Sequence, residues 1–194
     1  MSGSPVLNGP QTEAMLEVLV DAQRLGFLGQ GPVDRHIEHA MGFADAWQRA
    51  RPGLCPVSIA DLGSGGGVPG LVLAVATGAN VVLIDAKSRR TDWLAEASWR
   101  LDVAGRVRVL NRPVQEVGRN STWRSSCEVV VARGFAAPAP TAECAAGIVA
   151  RGGLVVVSEP PEANTRWDGL VASPLGFSEV VPVATPVGHY AVLR

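Results

Sequence analysis

Apolar side chains recur at helical spacing from residue 12 to residue 49. From residue 57 onward they gather instead into short β-branched runs separated by helical stretches. Thr12 is placed to cap a first helix bearing Ala14, Met15, Leu16, Val18, Leu19 and Ala22, which stops near Gly26. After the break Gly29–Pro32, the pattern predicts a second helix over Val33–Arg49, with Ile37, Ala40, Met41, Phe43, Ala44 and Trp47 on its apolar side. The alternation that follows reads strand Val57–Ala60, helix Pro69–Ala76, strand Asn80–Ile84, helix Arg89–Leu101 and strand Val107–Leu110. A weak helical stretch near Val114–Gly118, strand Val129–Ala132, helix Thr141–Ala150 and strand Leu154–Ser158 continue it. Phe177–Val183 and His189–Leu193, joined by Pro186-Val187-Gly188, predict a closing antiparallel hairpin. The expected architecture is α/β: a doubly wound, Rossmann-like sheet with a C-terminal hairpin and N-terminal helices. Residues 1–55 form a helical extension and residues 56–194 one compact unit, with residues 1–10 a loose, Ser/Gly/Pro-rich terminus.

The first strand ends in Asp61-Leu62-Gly63-Ser64-Gly65-Gly66-Gly67-Val68-Pro69-Gly70. Alternating glycines let a backbone turn sharply and come close to a ligand, which Cβ atoms would prevent. Gly65-x-Gly67-x-x-Gly70 satisfies the dinucleotide fingerprint formally, but that motif follows its strand at once, without an acid two residues ahead of the turn. Asp61 suits a ligand with a cationic end, because its carboxylate can meet an ammonium group directly or through water. The second strand ends in Asp85, 18 residues after Gly67, where an acid accepts hydrogen bonds from ribose hydroxyls. The two acids favour S-adenosylmethionine over NAD. A parallel sheet closed by an antiparallel hairpin is also the class I methyltransferase arrangement, whereas a mere tight turn would need neither acid.

Composition narrows the classes. With 47% hydrophobic and 18% charged residues, the chain is not wholly disordered. No apolar run reaches the roughly 18 residues of a membrane span and no charged-then-apolar leader is visible, so a soluble, cytoplasmic protein is expected. Cys55, Cys127 and Cys144 show no disulfide or zinc spacing and read as buried or partly buried thiols. The net charge of −1 argues against broad affinity for nucleic acid. A basic group at Lys87, Arg89 and Arg90, followed by Arg100, Arg106 and Arg108, is either a phosphate-binding patch or a solvated helix face.

The glycine loop with its Val68-Pro69-Gly70-Leu71 continuation resembles that of the RsmG proteins, also called GidB or glucose-inhibited division protein B. These methylate guanine N7 in small-subunit ribosomal RNA. Arg35-His36-Ile37, the stretch Asp85–Leu94, Arg133-Gly134-Phe135-Ala136 and Gly188–Arg194 are similar to further segments of that family. The resemblance implies cofactor contacts at Gly63 and Val68, the ribose at Asp85, the adenine near Pro113 and Val114, and Arg133 at the catalytic edge. Asp61, Ser64, Gly65, Gly67 and Ala86 complete the candidate cofactor set. The implied partner is small-subunit ribosomal RNA or the 30S particle, met by a monomer without membrane or metal. Departures from the family pattern are Gln115 where an acid follows strand three, Gly26-Phe27-Leu28 for Asn-Leu-Thr, Glu38-His39 for Asp-Ser, and the region of Ser158-Glu159-Pro160 where a lysine is usual. These leave open a small-molecule methyltransferase and a non-catalytic cofactor- or ribosome-binding module.

Single residues divide by context. Arg133 follows a β-run at the end of the sheet where doubly wound folds bind ligands. His36 and His39 lie three apart on a helix without an evident third ligand and read as packing or capping residues, as His189 reads as a structural hydrogen-bonding group. Trp47, Trp93 and Trp99 sit within helices and are expected to pack in the core or an interface.

Overall fold

The computed structural model describes residues 6–160, 166–168 and 173–194. Helix α1 (Gly9–Arg24) begins at Asn8 and not at Thr12. The Asn8 carboxamide accepts the Gln11 N–H at 2.9 Å and the Gln11 side chain returns the bond at 3.0 Å, a reciprocal cap for two donors that no helical carbonyl can reach. Thr12 turns its hydroxyl to the Asn8 carbonyl instead. Helix α2 (Val33–Ala50) starts directly after Pro32 and buries His36, Ile37, Ala40, Phe43, Ala44 and Trp47 along one face.

The strands are β1 (Ser58–Leu62), β2 (Asn80–Asp85), β3 (Val107–Asn111), β4 (Cys127–Ala132), β5 (Val149–Glu159), β6 (Val180–Thr185) and β7 (Gly188–Leu193). They form one sheet in the order β3-β2-β1-β4-β5-β7-β6. The first five run parallel, and β7 enters antiparallel between β5 and β6, as the hairpin pattern predicts. Helices α3 (Gly70–Thr77), α4 (Ser88–Arg100), α5 (Val114–Val117) and α6 (Pro138–Ala146) connect the parallel strands. Alternate strand residues feed two cores. Ile59, Leu83, Val131 and Val156 join α1 to α4 on one side, while Ala60, Ile84, Val130 and Val157 join α5 and α6 on the other.

The expected helix Thr141–Ala150 is displaced: α6 runs Pro138–Ala146, and Val149 already pairs with Cys127 in the sheet. Gly152 adopts a left-handed φ of 74°, and the pairing shifts register between Cys127 and Val129, so the Gly-Gly pair is a bulge within β5 rather than a boundary before it. Cys55 is exposed, unlike Cys127 and Cys144, and so is not the buried or partly buried thiol expected; Trp99 is 77% exposed and lies outside the core. Among the described residues, no helix is long and apolar enough to cross a membrane.

Helix α2 is held from the far end of the sheet. The Tyr190 hydroxyl on β7 donates to the His39 carbonyl at 2.8 Å, and its ring packs on His39 and Phe43. Gly42 makes this possible, because a Cβ there would strike the Tyr190 hydroxyl and approach Val187 to 2.7 Å.

Candidate functional site

The parallel register aligns the carboxyl ends of four strands: Leu62 pairs with Ile84 and Ala132, and Asp85 pairs with Asn111. Gly63, Ala86, Arg112 and Arg133 therefore leave the sheet along one edge, where open α/β sheets bind ligands. The loop after β1 turns through Gly63, Gly65 and Gly67 at φ of 70°, 53° and 83°, a region that side chains disfavour. Gly63 carries the Phe135 ring over it, so a Cβ would lie 2.8 Å from that ring.

The two acids are used differently. Asp61 lies inside β1, 1% exposed, with its carboxylate accepting the Gly70 N–H at 3.0 Å at the start of α3. It thus sits beneath the loop rather than at the strand tip. Burial pushes its pKa up to about 7, against the lowering pull of the Gly70 hydrogen bond and of the Arg133 charge. Asp85 ends β2 and holds the loop, its Oδ2 accepting Gly65 N–H at 3.0 Å and its Oδ1 accepting Lys87 N–H at 2.9 Å. Arg90 approaches the same Oδ2 at 3.4 Å. A carboxylate offers about four lone-pair sites, two on each oxygen, so Oδ2 is filled by Gly65 and Arg90 while Oδ1 can accept one further donor.

Ser64 is spent internally: its hydroxyl donates to the Asp61 carbonyl and accepts the Ile84 N–H, each at 3.0 Å. Val68 is packed into the core. Ala86 and Pro113 are exposed beside the edge, and Val114 is buried at the start of α5. The expected set therefore separates into groups open to the edge (Gly63, Gly65, Ala86, Pro113), a carboxylate behind them (Asp85), and supports (Asp61, Ser64, Gly67, Val68).

Arg133 is fixed by a residue remote in sequence. Its Nη2 donates to His36 Nδ1 at 2.9 Å, and His36 Nε2 lies 3.1 Å from the Gly29 carbonyl. A guanidinium only donates and a carbonyl only accepts, so the ring is the neutral tautomer with its proton on Nε2. Burial first and the Arg133 charge second lower the His36 pKa, consistent with that state. His39 instead stacks against Phe43 and Tyr190, with its pKa lowered to about 4 chiefly by burial.

The segment linking α1 to α2 covers the loop. A Cβ on Gly66 would stand 2.9 Å from both the Phe27 carbonyl and the Leu28 Cβ, and Arg89 lies 5.6 Å over the Phe27 ring. Phe27, Leu28 and Phe135 are site residues that periodicity could not mark, since each belongs to a loop. The basic group is drawn into structure: Arg90 meets Asp85, Arg89 meets Phe27, Arg100 meets Asp21 at 2.6 Å and Arg106 meets the Ala74 carbonyl.

Solved structures share this fold at low identity. Cofactor-bound Rv0187 from MTB superposes with a TM-score of 0.61 at 16% identity, covering 100% of this chain and 97% of that one. P. horikoshii TYW2 in complex with MeSAdo gives 0.54 at 14%, covering 86% and 63%. Sequence relatives are nearer. The ribosomal RNA small subunit methyltransferase G of Chloroflexus aggregans is 33% identical over 142 residues, 73% of this chain and 56% of its own length. That of Rubrobacter xylanophilus is 36% identical over 121 residues, 61% and 46% of the two lengths. That of Prochlorococcus marinus NATL2A is 36% identical over 84 residues, 43% and 34%. The chain thus spans about a third to just over half of the length of these relatives. A family model for rRNA small subunit methyltransferase G matches residues 32–168, which takes in His36, the glycine loop, Asp85 and Arg133. With the loop, its acid and the Arg133 edge inside one matched span, the chain belongs to the GidB family, the rRNA small subunit methyltransferases G.

Proposed function

We propose that the protein is an S-adenosylmethionine-dependent methyltransferase acting on guanine N7 of small-subunit ribosomal RNA. The observation that carries the reading is the convergence of the glycine loop, Asp85 and Arg133 on one sheet edge in a chain of this family. The residues fit the cofactor chemically. At Gly65 the backbone leaves room that a side chain would take, the Phe135 ring closes the loop over Gly63, and Asp85 keeps one acceptor site on Oδ1 for a ribose hydroxyl. Asp61, behind the loop, supplies negative charge toward an ammonium group. Ser64, Gly67 and Val68 hold the loop in shape, while Ala86, Pro113 and Val114 flank the adenine.

Bound there, the cofactor would supply an electrophilic methyl group for the N7 lone pair, with its sulfur as the leaving group. N7 carries no proton, so the protein needs no general base, and alignment and exclusion of water are its contribution. Such positioning is worth up to about 7–11 kcal/mol. Arg133, held by His36, is the group of this edge that meets the acceptor nucleotide, and Phe135 and Phe27 keep the loop dry. Residues 1–55 serve as the helical cover of the methyltransferase unit 56–194, and the protein works as a cytoplasmic monomer on the 30S particle.

The test is transfer of labelled methyl to purified 30S particles and to protein-free RNA, followed by nucleoside analysis. Label in 7-methylguanosine is expected. Label in another nucleoside, in small molecules of a cell extract alone, or in nothing would overturn the reading.

A further inference from the structure

One strand along from Arg133, the sheet edge carries a cavity. Ala132 on β4 and Val157 on β5 form the last parallel pair, and Arg133 and Glu159 lie one and two residues beyond it. Glu159 pairs across the sheet with His189, and His189 with Ala184, so these three share one face. On that face is a cavity of about 350 Å³, lined by Glu159, Trp167, Pro182, Ala184, His189 and Ala191 among others. This volume lies within the usual range for small-ligand sites.

The walls are mainly apolar, with Asp168, His189 and Tyr190 beside them, and two further polar groups there lack partners. The Glu159 side chain is 7% exposed; one oxygen accepts from Arg166 at 3.0 Å, and the other, Oε1, is buried with no partner among the described residues. The Trp167 indole N–H is also buried and unpaired among the described residues. Buried polar groups in folded proteins are nearly always paired, so one orphan acceptor and one orphan donor at a single cavity mark a missing ligand. That ligand must give N–H to a carboxylate and a lone pair to an indole. A phosphate or carboxylate fails against the Glu159 charge.

We infer that this cavity binds a guanine base by its Watson–Crick edge, with Glu159 accepting from N1–H and the 2-amino group and Trp167 donating to O6. Guanine presents two adjacent donors beside a carbonyl. Adenine has no carbonyl, uracil has one donor between two carbonyls, and cytosine separates its amino group from its carbonyl by an acceptor. Reading the Watson–Crick edge is how proteins recognise unstacked RNA bases. Gripped there, the base keeps its adjacent Hoogsteen edge, which bears N7 next to O6, clear of Glu159. That orientation deepens the proposed transfer and rests on it; the base preference does not.

The test separates the two. In the full-length protein, the indole N–H resonance that disappears in the Trp167→Phe variant should shift on adding guanosine monophosphate and move at least tenfold less with adenosine or uridine monophosphate at equal concentration. Glu159→Gln should bring the three nucleotides within twofold of one another, and calorimetry with Trp167→Phe should show the same loss of preference if Glu159→Gln does not fold. An unmoved Trp167 resonance, or an equal response to uridine monophosphate, overturns the assignment. In methyl transfer to 30S particles, Glu159→Gln should lower kcat/KM at least tenfold with cofactor affinity unchanged; wild-type kcat/KM overturns the pocket. A retained guanine preference without any transfer supports the pocket and retires only the proposed activity.

Discussion

The carboxyl of Asp61, pushed up to about 7 by complete burial, is half protonated near neutral pH. A ligand with an ammonium end favours the charged form, so cofactor binding should expel a proton. The sign follows: below about 7 the group is mostly neutral and affinity falls. Calorimetry should find S-adenosylmethionine binding roughly tenfold weaker at pH 6 than at pH 8. Asp61→Asn keeps an acceptor for the Gly70 N–H but has no proton to lose, and should bind weakly with no such slope. Asp85→Ala should weaken cofactor binding by about 1–3 kcal/mol if the proposed charge-assisted bond to the ribose is made. It should also release the Gly65 and Lys87 amides, which NMR exchange of those two N–H groups would reveal. Both acids are legible in the sequence because each adjoins its own strand and loop. The His36 contact to Arg133 spans 97 residues, and no local pattern encodes a pairing that only the folded packing of α2 on the sheet creates.

Among the elements, α2 is the most exacting, since it must present His36 to the site and still admit a tyrosine side chain from β7. Gly42→Ala places a methyl group against the Tyr190 hydroxyl and Val187, and should destabilise the fold by about 1–3 kcal/mol, read from the denaturant midpoint. Because α2 carries His36, the same change should lower methyl transfer more than cofactor affinity. Helix and strand identities were readable where periodicity was strong, as in α2 and β2. The start of β5 was not, because Ala-rich sequence runs into Val149-Ala150 without a break and the Gly152-Gly153 bulge resembles a terminator. Likewise the cap of α1 lies in Asn8-x-x-Gln11, a reciprocal pair that apolar spacing does not report.

At the scale of the whole molecule, net charge and its deployment bear on the partner. The net charge is −1, and Arg90, Arg100 and Arg106 are engaged with the protein's own acceptors. The 17 basic residues are matched by 18 acidic ones, so affinity for naked RNA should be low and its dependence on salt shallow. Filter binding over a salt series should give a smaller slope for protein-free RNA than strongly basic RNA-binding domains show, and transfer should favour assembled 30S particles over that RNA. A steep slope with equal use of both substrates would contradict this reading.

The hold of β7 on α2 also sets an order of events during synthesis. Tyr190 reaches back 151 residues to His39, and its strand occupies an interior position of the sheet although it follows the other six strands in sequence. Until residues 188–193 clear the ribosome, the face of α2 that bears Phe43 waits without that partner, and β6 has no neighbour through which to join the sheet. Nascent chains of this protein therefore pass through a long interval of exposed apolar surface that closes in a single late step, and it is then that they should depend most on chaperones.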